Sequence, residues 1–286
     1  MSAAMQPNRG TNRAPILAAY STLVFAFIYL PILVLIIYSF NRDGVGGFPP
    51  RHLTLDWYRR LFADSSIWTS VLNSLIVAAA SVALSLTLGL LAALALDRAH
   101  FPGKSLFRRL VLLPLILPGI ITGLSLLMFA VSIGAHLSLF TVFLGHGTAL
   151  ISVATTELFA GLQKMDRAQE EASLDLGATP FQTFARVTLP NLKLSLIAAV
   201  LLIFTLSMDE IAVTFFLIGR DNTLPLEIWG RLRRGITPEI NAVSTLIFAA
   251  SVILLILWFH LRTRAQRKQF SPQEPFKKCP THAAIS

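Results

Sequence analysis

The run IWTSVLNSLIVAAASVALSLTLGLLAALAL, residues 67–96, carries no charged side chain anywhere along its length. A helix needs about 20 consecutive apolar residues to cross a bilayer, and this run exceeds that requirement. A membrane β-barrel would instead show alternating segments of about ten residues, whereas this run is continuous and rich in Ala and Leu. It reads as a transmembrane helix. Ser81, Ser85, Gly89 and Ala93 recur four apart on it and share one stripe, along which a second helix can approach closely. Ordinary helix packing accounts for such a stripe equally well.

Working outward, five further runs have the same character: residues 15–40, 110–133, 139–162, 194–218 and 242–261. The expected fold class is an all-α integral membrane protein with six transmembrane helices. Residues 1–14 form an N-terminal tail, 15–262 the transmembrane domain and 263–286 a C-terminal tail. Composition agrees, because 54% of residues are hydrophobic and 14% charged, where a soluble domain carries roughly 25% charged residues. The first run follows Arg9 and Arg13 as a secretory signal would, but it is too long and no A-x-A site follows, so it reads as an uncleaved anchor.

In a soluble protein the net charge of +9 would invite a nucleic-acid reading. All 24 Lys and Arg lie outside the six runs, and 16 of them, against 8, fall in the two tails and the second and fourth loops. The positive-inside rule then puts both termini and the fourth loop in the cytoplasm. The charge reports topology, and nucleic acid is not expected as a partner. In the first external loop, Gly44, Gly46, Gly47, Pro49 and Pro50 precede the amphipathic LDWYRRLF, where Trp57 and Tyr58 are expected as interfacial anchors. The third run begins LLPLILPGIITG, and Pro114 and Pro118 each remove a backbone donor, so a kink is expected there.

Enzyme chemistry finds no support. Gly103, Lys104 and Ser105 spell the end of a phosphate-binding loop, but Arg98 stands where that motif requires glycine. The six histidines lack H-E-x-x-H spacing, the single Cys279 has no partner in the chain, and no metal or cofactor is expected. His146 lies within a run and reads as a packed or pore-edge residue.

One polar island interrupts this composition: EEASLDLGATPFQTFARVTLP, residues 170–190, in a fourth loop of about thirty residues. A short helix from about Asp166 is stopped by Gly177, which tolerates the left-handed conformation of a helix C-terminus. Thr179, Pro180 and Gln182 then spell a second helix start. Leu162, Met165, Ala172, Leu176, Phe181 and Phe184 are apolar residues of this helix–turn–helix. They pack on the ends of the spans or form a knob for a partner's groove, and spacing leaves both open.

The island resembles the coupling loop of binding-protein-dependent ABC importers, whose membrane subunits carry E-A-A, three residues, G, nine residues, I-x-L-P. Glu171, Ala172, Gly177, Leu189 and Pro190 match that pattern, with Glu170 just before it, and Ser173 and Val187 depart mildly. The resemblance implies a type I importer permease fold, with the loop at about 163–190 docking on a separate cytoplasmic ATPase. It implies a non-catalytic subunit in the bacterial inner membrane, with a second permease as heterodimer partner, two ATPase subunits that bind the ATP, and an external substrate-binding protein. MDEIAVTFF, LPLEIWGRLRRGITPEINAVSTL and LTLDWYRRLF resemble the spermidine/putrescine branch. Gly119 stands where many of that branch have an acid, which keeps organophosphonate and ferric-iron importers as alternatives. A secondary transporter would be expected to show inverted repeats, and none is seen.

Asp209 and Glu210 lie inside the fifth run, where a carboxylate is costly and usually faces a cavity or a partner. They are candidates for a substrate path that attracts a cation. The alternative is a structural salt bridge to arginines of the fifth loop.

Overall fold

The computed structural model describes residues 14–43, 52–235 and 237–269, the backbone alone for 14, 254, 255 and 257–269. The expected N-terminal tail up to residue 13, Gly44 to Pro50 of the first external loop, and Cys279 lie outside the described residues. The chain divides into two compact units, Met1–Leu61 with Thr237–Ser286, and Phe62–Ile236.

In the first unit, α1 (Ala14–Ser39) packs on α13 (Pro238–Gln269), and the unit also holds all but the last two residues of the short amphipathic α2 (Asp56–Ala63). Trp57 and Tyr58 stitch α2 to the end of α1. The Trp57 indole donates to the Asn41 carbonyl at 2.9 Å, and the Tyr58 hydroxyl meets Ser39 Oγ at 2.7 Å.

The second unit is built on α3 (Ser65–Arg98), the helix of the opening run. Asp64 caps it, with Oδ1 accepting from the N–H groups of Ser66 and Ile67. It is followed by α4 (Lys104–Ile116), α5 (Gly119–Ser132), α6 (Leu139–Gln163), α7 (Ala168–Asp175) and α8 (Pro180–Thr183). A π-helical turn, Phe184–Thr188, leads into α9 (Leu189–Asn191), α10 (Lys193–Met208), α11 (Ala212–Leu217) and α12 (Leu224–Arg234).

Small residues decide the packing of α3 on α6. Ser81, Ser85, Gly89 and Ala93 are all buried, and Ser85 Oγ donates to the Gly147 carbonyl of α6 at 2.8 Å. A β-carbon at Gly89 would lie 3.0 Å from the Thr155 backbone nitrogen, and one at Gly147 would lie 2.6 Å from the Leu84 side chain. The two backbones approach too closely for larger residues. Below this contact Ala93, Val153, Ala154, Leu158, Leu162, Leu192, Ala199 and Ile203 form the core of α3, α6 and α10.

Two runs expected as continuous spans are divided. Residues 110–133 become α4 and α5, bent by 108°. Pro114 sits inside α4 without ending it, whereas Pro118 forces Leu117 into extended backbone, with ψ 133°, and starts α5 as its cap. Residues 194–218 become α10 and α11, broken between Met208 and Ala212. Among the described residues three helices, Pro15–Ser39, Ser65–Arg98 and Leu139–Gln163, are long and apolar enough alone to cross a membrane, and up to five if each bent pair is one span. The run at 242–261 falls in α13, whose described apolar part, Pro238–Ile253, is shorter.

Candidate functional site

The island at 170–190 folds as a helix, a turn and a helix. Asp166 Oδ1 accepts from the Ala168 N–H at the start of α7. Gly177, at φ +86°, closes that helix with two reversed bonds, from the Gly177 N–H to the Leu174 carbonyl and from the Ala178 N–H to the Ser173 carbonyl. Thr179 and Gln182 then cap α8 reciprocally: the Thr179 hydroxyl accepts the Gln182 N–H at 3.3 Å, and Gln182 Oε1 accepts the Thr179 N–H at 2.9 Å.

One face of α7 is tied down. The Glu170 carboxylate binds both Arg98 Nη2, from the end of α3, and the Thr188 hydroxyl, from the π-helical turn. Beside it Arg167 pairs with Asp97 at 3.1 Å, Asn191 donates to Gln169 at 2.7 Å, and Ser173 meets Thr183 at 3.0 Å. The other face is open. Glu171, Ala172 and Gly177 are exposed, as are Leu189 and Pro190 at the start of α9. Leu176 is 89% and Phe181 77% exposed, so these two apolar side chains have no core of their own. Leu162 does not belong to the short helix: it is buried in α6, and Met165 packs on the same core. Phe184 is half-buried.

Asp209 and Glu210 stand at the break between α10 and α11, not within a helix as the continuous run implied. Asp209 is exposed at the C-terminal cap of α10. Among the described residues its side chain makes no hydrogen bond or ion pair. Glu210 is half-buried and serves as a cap, with Oε1 accepting the Val213 N–H at 2.9 Å. A β-carbon at Gly119 would lie 3.5 Å from that same oxygen, so Glu210 reaches over the first residue of α5. Buried beside the break, His146 of α6 touches Ser207 of α10 and Thr214 of α11, each at 2.9 Å, which makes it a packed residue.

Of the fifth-loop arginines Arg220, Arg231, Arg233 and Arg234, which a structural salt bridge to these acids would draw on, Arg231 is engaged elsewhere. It donates to Asp64 at 2.7 Å and to Glu227 at 2.8 Å, and Glu227 also accepts from Asn222 and Ser66. Burial works to raise the carboxyl pKa of Asp64 and Glu227, but the hydrogen bonds and charge of Arg231 outweigh it, and both lie below their usual values. Asn73 donates to the Asn222 carbonyl, and Ser74 accepts the Leu224 N–H, so this cluster fastens α12 to the start of α3.

The phosphate-loop decoy is likewise accounted for. Gly103, at φ +83°, precedes α4, and Lys104 Nζ donates to the Ala99 carbonyl at 2.9 Å, which satisfies the loop below α3.

Residues 85–269 match the family described as the binding-protein-dependent transport system inner membrane component. The chain belongs to that family. The permease is 35% identical over 269 residues to the putrescine transport system permease protein PotI of Escherichia coli strain K12, covering 90% of this chain and 94% of that one. It is 31% identical over 240 residues to the spermidine/putrescine transport system permease protein PotC of Haemophilus influenzae, covering 84% and 93%. In fold it resembles a bacterial ABC transporter for alginate import, with a TM-score of 0.65 at 17% identity over 93% of this chain and all of that one. A second structure of an alginate transporter, TM-score 0.66 at 17% identity over 91% and 98%, is a complex with its pentasaccharide-bound periplasmic protein. The permease is thus homologous to polyamine permease subunits and has the ABC importer permease fold, with members named for the inner membrane.

The sequence reading missed the partners of the permease's polar residues. Arg98 and Glu170 are separated by 72 positions, and Asp64 and Arg231 by 167. The adjacent acids in an apolar run were a signal of a break, since Glu210 stands three residues before the N–H it caps.

Proposed function

We propose that this chain is the non-catalytic permease subunit of an ABC importer for polyamines of the spermidine/putrescine kind. On this reading it forms the translocation path with a second, different permease, and two cytoplasmic ATPase subunits bind the ATP, with no cofactor or metal held by this chain. An external binding protein delivers the cargo, and the chain is a multi-pass protein of the bacterial inner membrane with both termini in the cytoplasm.

The observation that carries the reading is the open face of the island. Leu176 and Phe181 are presented to solvent by a segment whose opposite face Glu170 fastens to α3, an arrangement suited to a partner's apolar groove. The names of the putrescine and spermidine/putrescine relatives support the cargo.

A cationic cargo also fits the break in the fifth span. A helix C-terminus already carries about half a negative charge, and Asp209 adds a carboxylate there that makes no ion pair among the described residues. Glu210 lies over Gly119 and so supplies from the facing span the acid that Gly119 lacks. The test is the initial uptake of labelled putrescine per assembled complex, in cells carrying the full transporter. Asp209→Asn is expected to lower it at least tenfold with the ATPase still docked. Glu210→Gln keeps an oxygen for the Val213 N–H, and its loss of uptake should be smaller. Unchanged uptake in both variants would remove the acids from transport, and native uptake that neither spermidine nor putrescine inhibits would refute the polyamine cargo.

A further inference from the structure

His146 is 1% exposed, and both of its ring nitrogens are used. Nδ1 lies 2.9 Å from Ser207 Oγ, on the last turn of α10, and Nε2 lies 2.9 Å from Thr214 Oγ1, on α11. The Thr214 hydroxyl donates its one hydrogen to the Glu210 carbonyl at 2.8 Å. It therefore accepts from His146, which puts the imidazole hydrogen on Nε2 and leaves Nδ1 to accept from the Ser207 hydroxyl. The result is one directed chain of three hydrogen bonds: Ser207 to His146, His146 to Thr214, Thr214 to the Glu210 carbonyl.

This chain crosses the break. Ser207 lies two residues before Asp209 and Thr214 four after Glu210, on helices that no continuous backbone ladder joins. Each buried polar group would be expensive to leave unpaired, so the three bonds hold the two half-spans at one separation. The support beneath them is firm. Val213 and Leu217 of α11 pack with Val142 of α6 and Val77 of α3 in one buried cluster.

We propose that His146 is a positioning residue of transport: its imidazole fixes the geometry of the fifth-span break and thereby the placement of Asp209 and Glu210. The inference rests on the reading of those acids as residues of the cargo path. A step that reorients α10 against α11 must release one of the two imidazole bonds.

The experiment uses the full transporter with Cys279→Ser, spin labels at the exposed positions Leu201 and Phe215, and labelled putrescine as the cargo probe. His146→Phe keeps a ring without hydrogen bonds, and His146→Gln keeps one bond. In His146→Phe the distance distribution between the labels should broaden, and uptake per assembled complex should fall about tenfold with a raised half-saturation concentration. His146→Gln should recover part of both, and adding Ser207→Ala to His146→Phe should cost little more, because the bond is already gone. A purely structural histidine predicts less assembled complex with native distances and native uptake per complex, and that result overturns the inference. Normal uptake in Asp209→Asn and Glu210→Gln, with the distances still broadened in His146→Phe, would sink the path reading of the acids and leave the clamp itself standing.

Discussion

Truncating the exposed apolar pair of the island separates a docking surface from mere surface. Fully burying a Phe side chain is worth about 1.5–3 kcal/mol. Phe181 is 77% exposed, so about three-quarters of that, roughly 2 kcal/mol, is gained only when a partner covers it. At 1.4 kcal/mol per tenfold, Phe181→Ala should weaken ATPase binding about 30-fold, and Leu176→Ala, at 89% exposure, by a similar factor. The folded permease should tolerate both, since neither side chain leaves a cavity. The assay is titration of the purified membrane subunits with the ATPase in detergent. Phe27→Ala on α1 is the control, because Phe27 is equally exposed, at 75%, but lies in a membrane-spanning run. If Phe181→Ala and Leu176→Ala bind the ATPase within twofold of native, as Phe27→Ala is expected to, these side chains are not the docking surface.

Three further outcomes are expected. Gly177→Val places a β-branched residue at φ +86°, at a cost of roughly 1–2 kcal/mol, and should give inserted protein with uptake lost and ATPase association weakened. Glu170→Gln removes the charge that joins Arg98 and Thr188 but leaves the open face of α7 intact, so ATPase binding should stay near native while uptake per complex falls several-fold. A cysteine at Gln169 should be labelled only from the cytoplasmic side, and labelling from outside would overturn the charge-based topology.

What the sequence made legible follows from the range of the interactions involved. Helix-length apolar runs and the α3 stripe announce themselves because burial in lipid and close backbone approach act on every residue of a segment. The turn at Gly177 and the Thr179–Pro180–Gln182 start were equally legible, because each depends on residues at most five apart. The break at Asp209 was signalled only by the two adjacent acids. Neither proline nor glycine marks it, and it is held by a carboxylate that caps Val213 and by a histidine 61 positions away from Ser207. Pro114 and Pro118 looked alike, yet only the second divides the helix. Whether Leu162 and Phe181 were core or surface also depended on long-range packing, and they went opposite ways.

The polar clusters share one support, and their placement on it bears on how a pull at the island would travel. α3 runs unbroken for 34 residues, about 51 Å at 1.5 Å each. Near its C-terminus Asp97 and Arg98 hold Arg167 and Glu170 of the island. At its N-terminus Asp64 holds Arg231, while Asn73 and Ser74 hold the chain entering α12. Between these ends its small-residue stripe is pressed onto α6, where little sliding is possible, because Gly89 and Gly147 already meet their neighbours at the closest approach. A force on α7 therefore loads α3 and α6 as one body. Compliance then comes from elsewhere, and two places in the second unit where an expected span is interrupted are Leu117–Pro118 and Asp209–Ile211. These two sites lie together, since Glu210 reaches over Gly119 and α11 packs on α5. On the reading of the island as the ATPase contact, motion imposed at one end of a stiff pair of helices would be absorbed where the candidate acids stand.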